Sequence, residues 1–450
     1  MSRPICNTIQ AIQHKTDIVI IGAGAAGIHA AYLLSNKGQS VTVLEASERL
    51  GGRIFSVPIE GGGAVELGAQ WLGKSKQQRL ETLAKRYDAK YQSNHYEGLT
   101  THILRKTVVK STSKMPPLSW FESLDVFQIS LKINRLTKHI NVESPWLSHV
   151  RLDKISFVDW VLQQAWTKSG AGYWNNLIEQ SVCNNAKDLS VLEVLQNIAS
   201  IGKTKTLLEA DHYYFPSGLQ RLFETYAKAS GAKFLINSKV LTIIQCANEL
   251  HVNDENGNVF VCNKVLIAAA PQVIPNITFN PPLPDTKLSL QSSMKEGQVV
   301  KVLAVYDSPW WREKGLSGLV FSPDASFDTV IDVSHSNLGI LSALVTSDRC
   351  LELQKLSDVQ LTCEFVLHIG DAFGEQVQPK AFYRYRWEQD PYIRGGYSSN
   401  RPIGAWQSGT SALSSPYGNI HFASTETATQ WRGYIEGALE SAERAVAEMI

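Results

Sequence analysis

The sequence predicts an α/β protein in which a parallel-sheet domain carries an insertion of mixed sheet and helices. Three observations carry this expectation. Residues 17–44 read as strand, helix, strand; residues 81–214 change to Trp, Leu and Ile at three- and four-residue intervals; and short β-type runs return from residue 232 onward. The first domain is therefore expected to be interrupted and then resumed.

Residues 17–21 are rich in isoleucine and valine, as suits a strand buried on both faces. Residues 25–35 hold Ala, Leu and Ile at helical spacing, Asn36-Lys37-Gly38 supplies a stop, and residues 40–44 form a second strand. Phe157-Val158-Asp159-Trp160-Val161-Leu162 and residues 191–201 typify the helical spacing that predicts a mainly helical segment over 81–214. Residues 234–236, 240–244 and 265–267 read as strands, with a turn at 253–257. Further strand runs at 299–306 and 339–345 precede a helix at 361–373, and the chain ends in a strand at 420–423, a Ser/Thr-rich turn and a long helix from about Gly433. The expected division is one discontinuous domain of residues 14–80, 215–290 and 386–450, and a second of residues 81–214 and 291–385.

Composition excludes several function classes. With 43 Lys and Arg against 42 Asp and Glu among 450 residues, no net field draws in a nucleic acid or an anionic surface. Arg105, Lys106 and Lys110 are read as solvated surface, and the Trp310-Trp311 pair as packing. The six cysteines form no CxxC pair and the eleven histidines no HExxH, so reduced core thiols and no metal site are expected. Residues 1–16 lack an apolar signal core and no run reaches the roughly 18 apolar residues of a membrane span. A cytoplasmic location is the resulting expectation.

Gly22-Ala23-Gly24-Ala25-Ala26-Gly27 follows the first strand and opens the first helix, the context in which a GxGxxG binds a dinucleotide. The first glycine permits the tight turn, the second lets backbone approach a pyrophosphate, and the third lets helix and strand pack closely. Glu45 stands 18 residues after Gly27 at the end of the second strand, where a carboxylate accepts from ribose hydroxyls. NAD would fit these residues too. Arg49-Leu50-Gly51-Gly52-Arg53 shifts the choice to FAD, because two glycines allow a close backbone pass and Arg53 offers a fork-shaped donor to phosphate.

Together with Glu66-Leu67-Gly68-Ala69-Gln70-Trp71-Leu72-Gly73 and the run from His421 through Thr425-Glu426-Thr427 to Trp431-Arg432-Gly433-Tyr434-Ile435-Glu436, these motifs resemble the flavin amine oxidase superfamily over residues 16–448, and its monoamine oxidase branch most. The resemblance implies a Rossmann-like FAD-binding domain with an inserted substrate domain. It implies a cofactor site drawn from Gly22, Gly24, Ala26, Gly27, Glu45, Arg53, Gly68, Ala69, Gln70, Trp71, Val240, Trp387, Thr425, Glu426, Gly433, Tyr434 and Ile435. Val240 matches a residue whose backbone contacts the adenine, Trp387 a tryptophan lining the flavin, and Trp71 an aromatic on its substrate side. Tyr397 and Tyr434 fall on the two tyrosines that flank the substrate amine, and ring faces attract a nitrogen or its cation. Lys301, a lone charge in an apolar strand, matches the lysine that holds a water near the flavin and assists oxygen reduction; an edge-strand lysine is the alternative. The implied reaction converts a primary or secondary amine, most simply a monoamine, to an imine and then an aldehyde, with O2 reduced to hydrogen peroxide.

Two departures stand out. Gly396 occupies the place of the cysteine that bonds covalently to flavin in the membrane-anchored animal enzymes, so FAD is expected to be non-covalent. Ser424 replaces a usual glycine and requires ordinary backbone angles there. Phe215-Pro216-Ser217-Gly218 matches only loosely and transfers no substrate contact. The other readings are a diamine or polyamine oxidase, which needs an acid at the far end of the pocket; an L-amino acid oxidase, which needs an arginine clamp that Gln70-Trp71-Leu72-Gly73-Lys74 does not supply; and, further off, a flavin desaturase or a non-catalytic flavoprotein. The expected partners are a small amine and O2, with a homodimer left open.

Overall fold

Every residue of Ile18–Ile21 is buried, because layers cover both faces of the sheet it occupies. Ile18 and Ile20, with Val41 and Val43, pack against Ala30, Ala31 and Leu34 of helix Ala25–Ser35 and Ala442, Ala445 and Val446 of helix Ile435–Met449. Val19 and Ile21 point the other way, onto Ile243, Val252 and Phe260 of a second five-stranded sheet, as the two-residue side-chain period requires. The computed structural model describes residues 13–73, 76–247, 249–406 and 411–450; Cys6, most of the lead-in, and Lys74 lie outside the described residues.

The parallel sheet runs in the order Lys233–Leu235, Val41–Leu44, Ile18–Ile21, Lys264–Ile267, Ile420–Phe422. Its outermost strand comes from the far end of the chain, which brings the last motif beside the first. Helix Ala25–Ser35 sits close over the first strand because Gly27 has no side chain: a Cβ there would lie 1.9 Å from the carbonyl oxygen of Gly22. Gly22 itself has φ +100°, and its own Cβ would lie 2.7 Å from the Ala268 carbonyl oxygen.

A seven-stranded sheet forms the second layer system, with Val299–Tyr306 between Gly339–Thr346 and Ala381–Arg384. Helix Asp358–Phe373, opened by a Ser357/Gln360 capping box, lays Leu361, Phe365 and Ile369 on one face of it, the i, i+4 spacing of one helix side. Trp311 is wholly buried in the same core. Helices Trp120–Thr137, Phe157–Gln164, Lys168–Val182 and Val191–Ile201 build a separate cluster. Each begins at a Ser or Thr whose hydroxyl accepts a first-turn N–H: Ser119, Ser156, Thr167 and Ser190.

Residues 81–214 are mainly helical, as expected, but Leu99–Leu104 and Thr107–Ser111 form a hairpin that joins the seven-stranded sheet through Leu316–Phe321. Its pairing partner lies more than two hundred residues away, so no local periodicity announces it. Of the cysteines, Cys183, Cys262 and Cys350 are buried, but Cys246 and Cys363 are exposed rather than core thiols. Among the described residues no helix is long and apolar enough to cross a membrane.

The close packing at Gly27 yields a test. Gly27→Ala forces helix and strand apart and is expected to cost about 1–3 kcal/mol, the usual range for overpacking. Thermal denaturation should show a lower midpoint, together with loss of bound flavin on gel filtration.

Candidate active site

The parallel strands end at one cavity of 1120 Å³, the place where an open α/β sheet presents its crevice. Small-molecule pockets span about 300–1,000 Å³, so this one has room for a large cofactor and a substrate together. Gly22, Gly24 and Ala26 line its first end. Helix Ala25–Ser35 starts there with no side-chain cap and no acid in its first turn, so its free N–H groups are available to an anion. The second glycine pair docks on the first: Gly51 N donates to Ala23 O at 2.9 Å, and a Cβ on Gly52 would lie 3.3 Å from the Gly24 Cα. Glu45 accepts from Ala23 N at 2.7 Å and from the Ser47 amide and hydroxyl at 2.9 and 2.8 Å, which fixes its carboxylate on the wall. Val240 lines the cavity where the pairing of its strand with Leu250–Asp254 shifts register.

Arg53 is placed differently from a free phosphate donor. Its guanidinium holds both carboxylate oxygens of Glu426 at 2.7 and 3.1 Å and the Tyr397 carbonyl at 2.9 Å. Burial alone would raise the Glu426 carboxyl, but the Arg53 charge and hydrogen bonds outweigh it and hold the carboxyl below its ordinary value. Arg53 borders the cavity, whereas Glu426 and Gly27 do not; Glu426 is wholly shielded behind Arg53, and Gly27 faces the Gly22 backbone. These two support the wall rather than form it.

Gly68, Ala69, Gln70 and Trp71 border the middle of the cavity. A Cβ on Gly68 would fall 2.2 Å from the Arg53 carbonyl oxygen, so the backbone passes at a distance only glycine allows. Lys301 donates to Gly68 O at 2.8 Å and lies 5.0 Å from the centre of the Trp71 ring. Its strand is flanked on both sides, which removes the edge-strand alternative. Burial pulls the Lys301 ammonium well below its ordinary value, with Glu66 and Asp211 opposing. Trp387 is buried, donating from Nε1 to Leu67 O at 2.9 Å. Tyr397, donating to Gln180 O, and Tyr434, edge-on to Trp431 at 5.1 Å, both border the same space. Burial raises both phenols far above their ordinary value. Thr425 accepts from Gly433 N at 2.8 Å and donates to Tyr434 O at 2.9 Å, so this short loop aims Gly433, Tyr434 and Ile435 at the cavity.

The pattern of the family described as flavin containing amine oxidoreductase matches residues 25–450. The chain belongs to that family. It is 27% identical over 449 residues to a flavin-containing amine oxidase A of Bos taurus, covering 96% of this chain and 85% of that one. It is 26% identical over 460 residues to an L-amino acid dehydrogenase of Synechocystis, covering 99% and 97%. A solved putrescine oxidase bound to putrescine superposes with a TM-score of 0.92 at 25% identity, over 97% of this chain and 99% of that one. The chain is accordingly an FAD-dependent amine oxidase with Rossmann-like and substrate domains.

The residues present fit FAD: an uncapped helix start, two interlocked glycine turns in which a Cβ on Gly22, Gly27 or Gly51 would clash with backbone, and a fixed carboxylate at the second strand's end. Ser424 has φ −169° and ψ 166°, extended backbone open to any residue, so the loss of glycine there is harmless. Gly396 cannot simply be exchanged for a flavin-linking cysteine, since a Cβ would lie 2.9 Å from both Cys183 Sγ and Val299 Cγ1.

Sequence reasoning missed the far wall. Leu177, Gln180, Leu207, Leu319, Ile331 and Leu344 line it, ordinary core types that carry no motif. It also missed Asp211, which lines the cavity; desolvation there raises its carboxyl to about 6, with Lys301 opposing. Glu66, an acid inside the buried strand Ala64–Glu66, was the more visible signal: it accepts from Ser56 Oγ at 2.7 Å and Leu219 N at 2.5 Å.

Acid precipitation checks the cofactor linkage. The yellow colour is expected entirely in the supernatant, and a coloured pellet would contradict dissociable FAD.

Proposed function

We propose that this enzyme oxidises a primary or secondary amine to the imine, with O2 as electron acceptor and hydrogen peroxide as product. The observation that carries the proposal is that Tyr397, Tyr434, Trp71 and Lys301 border the same cavity as the uncapped helix start. Bound FAD supplies the acceptor for the hydride that leaves the amine's α-carbon. The protein's own residues then have orienting work. Tyr397 and Tyr434 present ring faces to the nitrogen, and their raised phenols stay neutral, so neither competes as a charge. The aliphatic wall excludes water from the α-carbon. Lys301 spends one donor on Gly68 O and keeps its remaining N–H for a water or for oxygen on its way to peroxide. The nitrogen lone pair closes the C=N bond, and water later releases the aldehyde with ammonia from a primary amine or a primary amine from a secondary one.

Anaerobic mixing with a panel of monoamines, diamines and amino acids tests the reading: amines should bleach the flavin, and a flavin that no amine reduces would end it. The rate should rise with pH through the substrate's own pKa, because only the free amine has the lone pair and the tyrosines do not titrate in that range. A flat profile in the reductive half-reaction would remove the lone-pair requirement.

A monoamine is the simplest substrate, but Asp211 favours a second reading. Of the cavity-lining acids among the described residues, Glu45, Asp211 and Asp390, Asp211 is the one whose charge is felt by both Lys301 and Tyr434, where a second ammonium could find a counter-charge. The arginines on the wall, Arg49 and Arg53, are engaged with backbone carbonyls and with Glu426, which counts against an amino acid carboxylate. If diamines are used, Asp211→Asn should raise their KM by roughly ten- to a hundredfold, the loss of a charged hydrogen bond, and leave monoamines unchanged. Equal effects on both classes would reject the diamine reading. The proposal also places the chain in the cytoplasm, where the exposed free thiols Cys246 and Cys363 stay reduced.

A further inference from the structure

Helix Trp120–Thr137 is apolar on two opposite sides. Val126, Ile129 and Ile133 face the helical core. Trp120, Leu124, Phe127 and Leu131 recur at three- and four-residue steps on the outer side and are 78%, 44%, 59% and 54% exposed. Phe121 stacks on Trp166, itself 54% exposed, which widens the stripe beyond one helix. A contiguous exposed apolar surface of this kind marks an interaction site.

The charges around it identify the partner. Residues 105–138 carry seven Lys and Arg against Glu122 and Asp125, a net +5 in a chain whose total is +1. Arg105, Lys106, Lys110, Lys114, Arg135 and Lys138 are exposed, and Arg135 and Lys138 continue the same helix face as the apolar stripe. Neither acid offsets them freely: Glu122 is engaged in capping Ser119, and Asp125 is buried, accepting from Trp166 N and Thr167 N. Residues 139–170 add three of each sign and leave the excess in place. The near-neutral total thus conceals a basic, aromatic face.

We infer that the outer side of helix Trp120–Thr137 docks this enzyme on the surface of an anionic lipid bilayer, with Trp120, Leu124, Phe127 and Leu131 entering the headgroup boundary and the surrounding Lys and Arg meeting lipid phosphates. Trp, Phe and Leu flanked by Lys and Arg suit that boundary. A second copy fits worse, because a twofold contact sets one +5 face against another. Lys114 and Met115 line the cavity and lead directly into the helix, so bilayer contact lies beside the cavity wall, where an amphipathic amine would collect.

The test is co-sedimentation of the full-length yellow protein with vesicles of phosphatidylcholine alone and of phosphatidylcholine containing one quarter phosphatidylglycerol. Binding should be at least about tenfold tighter to the anionic vesicles, given roughly 1 kcal/mol per basic residue at such a surface, and should fall in high salt. The double variants Trp120→Ser/Phe127→Ser and Arg135→Glu/Lys138→Glu should each lose it. Both leave the cavity untouched, so retained flavin and unchanged turnover of a soluble amine certify their folding. No binding by the parent protein overturns the inference. So does a dimer that the Trp120→Ser/Phe127→Ser pair converts to monomer without vesicle binding, which would assign the face to a second copy.

Discussion

The buried pair between Arg53 and Glu426 is the contact on which the site depends. Taking both charges out of water is costly, and the cost is met only because the geometry is two-pronged, at 2.7 and 3.1 Å. The remaining Arg53 hydrogen bond goes to the carbonyl of Tyr397 at 2.9 Å. One side chain from the second glycine motif therefore fixes the loop after the last parallel strand and the backbone of a tyrosine proposed to face the substrate. Removing either partner strands the other charge in the interior, which commonly costs about 3–5 kcal/mol.

Around that clamp, the two sheet systems have separate tasks. The parallel sheet, held between helices and a second five-stranded sheet, ends in glycine turns whose backbone does the work of binding. The seven-stranded sheet contributes a single charged side chain, Lys301, from a strand buried along its whole length. Its ammonium is tolerated because it donates to Gly68 O and feels Glu66 and Asp211. The helical cluster closes the far wall and at the same time exposes the outer side of helix Trp120–Thr137. The insertion thus supplies Leu177, Gln180 and Leu207 to the cavity wall, while the glycine turns come from the start of the chain and the Thr425 loop from its end.

The sequence by itself determined what local chemistry can announce. The strand–glycine–helix–strand–Glu45 order, the helix Ala25–Ser35 and the strand Val299–Tyr306 were legible because backbone turns and two-faced burial demand particular residue types at fixed spacing. Lys301 was legible as a charge where an apolar strand should continue. Gly68, Thr425 and Gly433 were legible through motif resemblance, and the structure supplies their reason, a backbone approach no side chain permits and a hydroxyl that ties one loop.

Tertiary structure alone decided what distant segments do to one another. It paired Arg53 with Glu426, set Glu426 and Gly27 behind the cavity lining, and paired Leu99–Leu104 with Leu316–Phe321. It also brought Asp211 into the cavity and left Trp120 and Phe127 facing outward. None of these follows from spacing, because a charge's partner and a hydrophobic side chain's neighbours are set by packing across hundreds of residues, not by the period of the segment that carries them.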